Sequence, residues 1–471
     1  MISICEFEAL KESQRIMHQD EGLTGIFNNF YKPIEKTLWF SCNSISMNCS
    51  SSGRSYTYDI DSSYQYLSTT FLNFKTGEWR VKPEYIGQVK ICLTKNFGYN
   101  LIEKASMYLN GSVCMDTFDS FGCDVYFGFN QTRGCGFRSS HERCIGNLKR
   151  LREWSDYIPD KTINFTQPFF YTHETYTSFP LTLFNSQAKF SLKYEFRDRI
   201  DLIKMKILKN NVWYEADNIF IKENLNKYIT YNFNNVKTPE LFSDYIKVSN
   251  NEIDFLRCEL AKKLNEGQTW DIYYRSMKVE QCRESKSFSS DLAMNIVTKS
   301  PALALFWAGL NIDSLKYNNY SNYTIDTFGN YQITETCISN NSLSYFGDNK
   351  FKDTPSDHFT DAEARQHFRS VPKLPLILAK AIAWRPYGIE YDTGIIFDPS
   401  TSCNLSCKIM KRPDIFDKIK IARIEKGNTY VCKYIDDPKI EIILRILMQC
   451  KISINKSDPN NFESIQYITL S

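Results

Sequence analysis

Residues able to do chemistry are sparse and poorly spaced in this chain. It holds five histidines, and none belongs to an H-E-x-x-H pair. No G-x-S-x-G elbow and no G-x-x-x-x-G-K-[ST] phosphate loop occurs. Cys123, Cys135, His141 and Cys144 offer ligands that zinc accepts, but they lack the tight C-x₂-C knuckles that bring two thiolates to one ion. Ordinary loop cysteines are expected there. Ser356, Asp357 and His358 are the residue types of an acid–base group, yet they are consecutive in a polar stretch, and no distant partner can be named for them. Gly134 and Gly136 lack the third glycine and the following helix that a phosphate cradle needs. Lys149, Arg150 and Arg152 beside Trp154 form one basic cluster, which reads as a solvated helix face rather than a nucleic-acid groove. The sequence thus assigns no catalytic, cofactor-binding or metal-binding residue. A non-enzymatic chain without a cofactor is expected.

The elements around these residues read as scaffold. Aromatic residues make up 15% of the chain, which favours strands over helices. The net charge of +3 over 471 residues gives no argument for nucleic-acid binding. That length predicts two or three domains. The opening MISICEFEALKESQR has no basic region followed by an apolar run, so reduced and mostly buried thiols are expected of the fifteen cysteines. Asn-x-Ser/Thr triplets such as those at Asn110, Asn164 and Asn322 carry little meaning in an Asn-rich chain without secretion. The apolar runs 301–310 and 374–384 fall short of the ~20 residues that span a bilayer. The first reads as a buried strand.

The clearest strand signal runs from Ala188 to Arg197, where Ala188, Phe190, Leu192, Tyr194 and Phe196 alternate with polar residues. Ahead of it, Pro168 and Pro180 mark strand edges or corners, because proline cannot donate to a central ladder. Residues 1–30 read as a short helix and an arm. Strands are predicted at 37–40, 56–60, 64–72 and 86–94, with Ser/Asn/Gly-rich turns between the first two. A hairpin over 101–115 turns on Asn110-Gly111, the pair that type I′ geometry favours. Residues 119–147 read as a long loop, and 210–251 as short strands such as 228–233.

Ser249 and Glu252 form a capping box ahead of Ile253, Leu256, Leu260 and Leu264 at helical spacing. This helix is the predicted inter-domain connector. Thr360 and Glu363 repeat that logic for a short surface helix. Further strands are predicted across 293–310 and at 377–384, 395–397, 402–410 and 441–450, the last ambiguous with a helix. The pattern implies paired antiparallel sheets, made twice, with Greek-key connections.

The order of these motifs resembles the double jelly-roll major capsid proteins of nucleocytoplasmic large DNA viruses, the iridovirus-like members in particular. The resemblance rests on DSSYQYL from Asp61 to Leu67, which is similar to the family's gDy-l element, and on NLIEKASMYLNG from Asn100 to Gly111. It continues through QPFFY at 167–171, FPL at 179–181, the 190–197 strand and DLI at 201–203. In the second half it rests on SPALALFW from Ser300 and on DPSTSCN from Asp398 to Asn404. Ser300 stands where the family has histidine, and Thr401 where it has glycine.

The resemblance implies an all-β chain of two consecutive eight-stranded jelly-roll barrels with short helices in the loops and between the domains. Its expected divisions are an arm at 1–30, a first jelly roll at 31–250, and a second at 251–471 that begins with the connector helix. It implies a capsid subunit that trimerises into pseudo-hexameric capsomers and builds an icosahedral shell, after assembly in the host cytoplasm. Implied partners are a homotrimer, neighbouring capsomers, minor capsid or penton proteins and inner-membrane proteins of the virus, with no direct nucleic-acid binding. A scaffolding protein of the same fold is the alternative within this class. A carbohydrate-binding module or glycosidase is the other, and it would need exposed aromatics on a concave face or two carboxylates ~5–9.5 Å apart.

Overall fold

The computed structural model describes residues 40–130, 142–172, 178–184, 188–232, 239–284, 291–298, 300–321, 323, 333–340, 354–355, 383–386, 403–409, 420–425, 429–434, 440–456 and 465–470. The predicted arm, the 360–363 helix and the 395–397 strand lie outside these residues, as do 37–39 and most of 377–384.

Besides a small sheet ordered Ile229–Asn232, Glu78–Val81, Tyr157–Ile158, two five-stranded antiparallel sheets form the sandwich of the first half. One has the strand order Phe40–Ser46, Glu240–Val248, Tyr66–Lys75, Thr162–Thr166, with Phe179–Pro180 also on Tyr66–Lys75. The other has the order Cys49–Ser52, Ser55–Asp59, Phe190–Phe196, Ile102–Leu109, Val113–Phe118. Neighbours far apart in sequence, such as Phe40–Ser46 beside Glu240–Val248, are what Greek-key connections produce. The second half repeats the plan. One sheet orders Trp270–Glu284, Ile440–Lys456, Ala302–Asn311, Ala383–Pro386, and the other Asp291–Ile296, Cys403–Ile409, Ile333–Asn340, Thr354–Pro355. Among the described residues each sheet is an open path, so these are sandwiches.

Alternation in the 190–196 strand emerges as predicted, with Phe190, Leu192, Tyr194 and Phe196 all buried. Pro168 follows the Thr162–Thr166 strand, and Pro180 ends the short strand Phe179–Pro180 on the same sheet, before the chain crosses to Phe190–Phe196 in the other. Phe179 then meets Phe190 edge-on across the sandwich, ring centroids 5.3 Å apart. Aromatic residues fill this core, and the tyrosines among them keep their hydroxyls satisfied. Tyr171 bonds Thr70 at 2.8 Å, and Tyr58 donates to the Pro239 carbonyl at 2.7 Å. Asn110 and Gly111 both adopt positive φ, and Ser112 N–H closes the turn on the Leu109 carbonyl at 3.3 Å.

The helix expected from the Ser249 capping box spans Asn250–Asn265. The Ser249 side chain accepts from Glu252 N–H at 3.4 Å, and Ile253, Leu260 and Leu264 are buried. Residues Ala302–Leu310 are buried on both faces, as a central strand requires. The 441–450 segment is part of the long strand Ile440–Lys456, flanked on both sides by partners. Consecutive side chains from Ile442 to Ile446 are all buried, so both faces of this stretch are covered, which explains its lost alternation.

Three expectations are corrected. Residues 120–130 form a helix, Ser120–Asn130, where a loop was predicted. Its glycines weaken intrinsic helix preference, but Asp119 caps it by accepting from Gly122 N–H at 2.8 Å, and Phe121, Cys123 and Val125 are buried. Residues Asn218–Tyr228 are also helical, capped by Asp217 on Phe220 N–H, where short strands were expected. The Ser/Asn-rich stretch after Phe40 holds two strands, Phe40–Ser46 and Cys49–Ser52, each at a sheet edge. Their side chains are largely exposed, so they need no apolar face to be strands.

Candidate functional site

The residues singled out for chemistry do not converge. Cys123 is buried in the Ser120–Asn130 helix, where burial pushes its thiol well above the usual range. Cys144 is half-buried, while Cys135, His141, Gly134 and Gly136 lie outside the described residues, as do Ser356, Asp357 and His358. Among the described residues, no three His, Cys, Asp or Glu side chains gather as a metal site. Lys149, Arg150 and Arg152 stand exposed on one helical turn while Leu151 is buried, the solvated face that was expected. Nearby Trp154 has the Lys206 ammonium 4.3 Å from its ring centroid.

A different group of side chains does converge, along the seam between the two sandwiches. Three carboxylates on one stretch of the first half, Asp116, Asp119 and Asp124, each accept from the second half. Asp116 lies within the hairpin strand Val113–Phe118 and is buried. It accepts from Thr117 N–H at 3.0 Å and Phe170 N–H at 3.0 Å within its own half, and from the Ser276 hydroxyl at 2.6 Å across the seam. Beside it, Tyr274 donates its hydroxyl to the Met115 carbonyl at 3.0 Å and packs on Phe170 with centroids 4.4 Å apart.

Asp119 takes the guanidinium of Arg445, which is 3% exposed on the central strand of the second sandwich. The same arginine donates to the Leu444 carbonyl at 2.8 Å and lies 5.3 Å from the Phe121 ring centroid. A planar fork held at several points fixes orientation as well as distance.

Asp124 is fully buried and accepts from Asn96 Nδ2 at 2.8 Å, the Ser321 hydroxyl at 2.7 Å and the Tyr323 hydroxyl at 2.6 Å. Burial holds its carboxyl above the ordinary carboxylate value, although those three donors and nearby Lys95 pull the other way. Asn100 reaches Ser321 at 2.9 Å, and Asn318 donates to the carbonyls of Ile200 and Ile203 at 3.2 and 2.7 Å. The Arg197 guanidinium stacks over Tyr320 at 4.5 Å. One further sheet mixes both halves: Glu215 and Ala216 pair in parallel with Ile421 and Ala422. Such a seam does no covalent chemistry. It positions one sandwich against the other by directional bonds.

Sequence reasoning missed these residues, because Asp116 to Asp124 enters the stretch read as a loop. One signal was available. Arg445 interrupts the run IILRILM, and a lone charge in a buried strand needs a partner.

No family model matches the chain. It is 23% identical over 363 residues to the major capsid protein of Wiseana iridescent virus, covering 73% of this chain and 71% of that one. It is 21% identical over 360 residues to the major capsid protein of Costelytra zealandica iridescent virus, covering 73% and 74%. Among solved structures, the Faustovirus major capsid protein superposes with a TM-score of 0.61 over 98% of this chain and 97% of its own, at 7% identity. The PBCV-1 virus capsid protein does so with a TM-score of 0.59 over 89% and 96%, at 11% identity. At such identities the structural likeness establishes the fold, two consecutive jelly rolls, while the sequence likeness runs through most of the chain independently. On both grounds the chain is similar to the double jelly-roll major capsid proteins of nucleocytoplasmic large DNA viruses, the iridovirus ones in sequence and the Faustovirus and PBCV-1 ones in fold.

Proposed function

We propose that this chain is a major capsid protein, a structural subunit of a virion shell. The observation that carries the proposal is co-linear similarity to two iridovirus proteins of that name, over 73% of the chain, on a fold shared nearly end to end with capsid subunits. In this reading residues 1–30 are an arm, 31–250 the first jelly roll and 251–471 the second. Three copies assemble into a capsomer of pseudo-hexagonal outline, because six similar sandwiches then surround one axis. Capsomers join one another, with minor capsid or penton proteins and inner-membrane proteins of the virus as further partners, and assembly takes place in the host cytoplasm.

The seam supports this reading. A lattice built from three doubled subunits needs the two sandwiches of each chain at one fixed angle, and directional hydrogen bonds to Asp116, Asp119 and Asp124 supply that constraint. The test is the mass and shape of the purified full-length chain, by light scattering and electron microscopy. Trimers with a hexagonal outline are expected. A monodisperse monomer, under conditions where circular dichroism shows the sheets intact, would overturn the proposal.

A further inference from the structure

The sheet that mixes both halves places Val89–Leu93, Ile203–Lys209 and Val212–Ala216 side by side. Alternation sorts their side chains. Val89, Ile91, Ile203 and Met205 are buried, whereas Lys90, Lys204 and Lys206 point to the opposite face and are half-buried. The register sets Lys206 directly across from Lys90 on one side and from Glu215 on the other. Glu215 is nevertheless taken by Lys204, at 2.7 Å. Lys90 and Lys206 therefore have no carboxylate partner among the described residues. Like charges facing one another across a ladder are destabilising, so an anion is wanted here.

Indole rings hold the two ammoniums in place. Lys206 Nζ lies 4.3 Å from the Trp154 ring centroid, and Lys90 Nζ lies 5.2 Å from that of Trp213. Trp154 is fixed at the sheet because its neighbour Ser155 exchanges both backbone hydrogen bonds with Ile91, at 2.8 and 3.0 Å. The helical turn just before Trp154 adds Arg150 and Arg152, both exposed and without a carboxylate partner among the described residues. That basic turn is thus one end of a larger cationic face.

We propose that this face binds an extended acidic segment of a partner protein, with one carboxylate seated between Lys90 and Lys206. Neighbouring strands lie about 4.8 Å apart, so the flexible lysine stems can bring both ammoniums to the two oxygens of a single carboxylate. Side chains on one face of an extended chain recur about every 6.6 Å, the interval between Lys204 and Lys206, so alternate acidic residues keep step with the row of cations. Single-stranded nucleic acid suits the face less well. One side of each indole is already covered by an ammonium, and both rings are half-buried, which leaves bases little to stack on. A bilayer is too broad for lysines that are recessed beside the rings but open to a protruding carboxylate. This binding needs only the sheet itself, so it holds or fails separately from assembly into capsomers.

The test is fluorescence anisotropy on the full-length protein at low salt, with a labelled peptide of alternating Glu and Ser. Lys90→Gln together with Lys206→Gln should weaken binding about tenfold or more, because both charge-assisted bonds to the seated carboxylate are lost. Removing two opposed charges relieves repulsion, so the melting temperature of that variant should not fall. Lys104→Gln with Lys193→Gln, at exposed positions on another sheet, should leave peptide binding unchanged. Equal weakening by the two pairs of substitutions, or none from the first pair, overturns the site, as does a native chain that ignores the peptide. Tighter binding of oligothymidylate or of phosphatidylserine vesicles than of the peptide, abolished by the first pair, overturns the assignment to an acidic protein.

Discussion

Removing the Asp116 carboxylate while leaving everything else in place tests whether hydrogen bonds hold the seam. Asp116 is 4% exposed and serves three donors. In Asp116→Ala the Thr117 N–H is half-exposed and can turn to water, but the Phe170 N–H and the Ser276 hydroxyl are both buried. Two orphaned buried donors cost about 1–3 kcal/mol each, and relief of the carboxylate's own desolvation offsets part of that. A net destabilisation of about 2–4 kcal/mol is expected. Asp116→Asn should cost far less. Its carbonyl can keep Phe170 while its amide donates to the Ser276 oxygen, leaving only the half-exposed Thr117 N–H without its acceptor. About 1 kcal/mol is expected for that variant. The assay is denaturant unfolding followed by tryptophan fluorescence, read on the first transition because a chain of this size need not unfold in one step. A double-mutant cycle with Ser276→Ala isolates the bond across the seam, and a hydroxyl donating to a carboxylate should show a coupling of about 1.5–3 kcal/mol. Coupling below about 0.5 kcal/mol, the usual scatter for independent sites, would refute the seam as a hydrogen-bonded lock. Equal damage from Asn and Ala would show that charge, not donor satisfaction, decides.

Three other measurements follow. Because burial raises the Asp124 carboxyl in the folded state, its contribution is fullest below the unfolded value of about 3.9 and is lost as pH rises through the folded one. The melting temperature of the native protein minus that of Asp124→Asn should therefore grow on mild acidification, and a difference that shrinks would contradict this. Native alkylation followed by mass spectrometry should label the exposed Cys42, Cys49, Cys114 and Cys258 well before the buried Cys92, Cys123 and Cys450. Burial pushes Cys92 up to about 12, so its labelling should appear only on unfolding. Gly98→Ala should destabilise by about 1–3 kcal/mol in thermal melts, since its Cβ would sit 2.7 Å from Phe165 Cε1 and 3.1 Å from the Ile145 carbonyl oxygen. A neutral result there would mean that Phe165 yields more easily than its buried position suggests.

What the sequence revealed and what it hid divide along physical lines. Elements with one wet and one dry face, such as Phe190–Phe196, announce themselves by alternation. The Asn110-Gly111 turn and the Ser249 cap are local chemistry, legible without any partner. Hidden elements take their stability from distant partners. Phe40–Ser46 is nearly all polar and is a strand because Glu240–Val248 offers it a ladder, about two hundred residues away. The Ser120–Asn130 helix carries glycines that argue against it, and it persists because Phe121, Cys123 and Val125 find a core and Asp124 finds Ser321 and Tyr323. Seam residues are hidden for the same reason. An aspartate reads as surface until the donors that enclose it are known.

That the seam carries directional polar bonds beside its aromatic contacts bears on the proposed role. Apolar packing alone would join two sandwiches at least as strongly, because desolvating Asp116, Asp119, Asp124 and Arg445 consumes much of what their bonds return. An apolar interface, however, tolerates sliding and rotation at little cost, whereas a guanidinium forked on Asp119 and a hydroxyl seated on Asp116 do not. Small angular errors within a subunit multiply when many subunits tile a surface, while a monomeric protein would scarcely register them. Directional bonds set into an otherwise apolar contact are therefore what the proposed building block requires. It predicts that replacing Asp119 and Arg445 together by Leu and Met would leave thermal stability nearly unchanged or higher, by the precedent of buried ion pairs. Under the proposed capsid role, the same double variant should give assemblies of irregular outline in electron micrographs. If its particles were as regular as those of the native chain, the seam's polarity would have no role in assembly geometry.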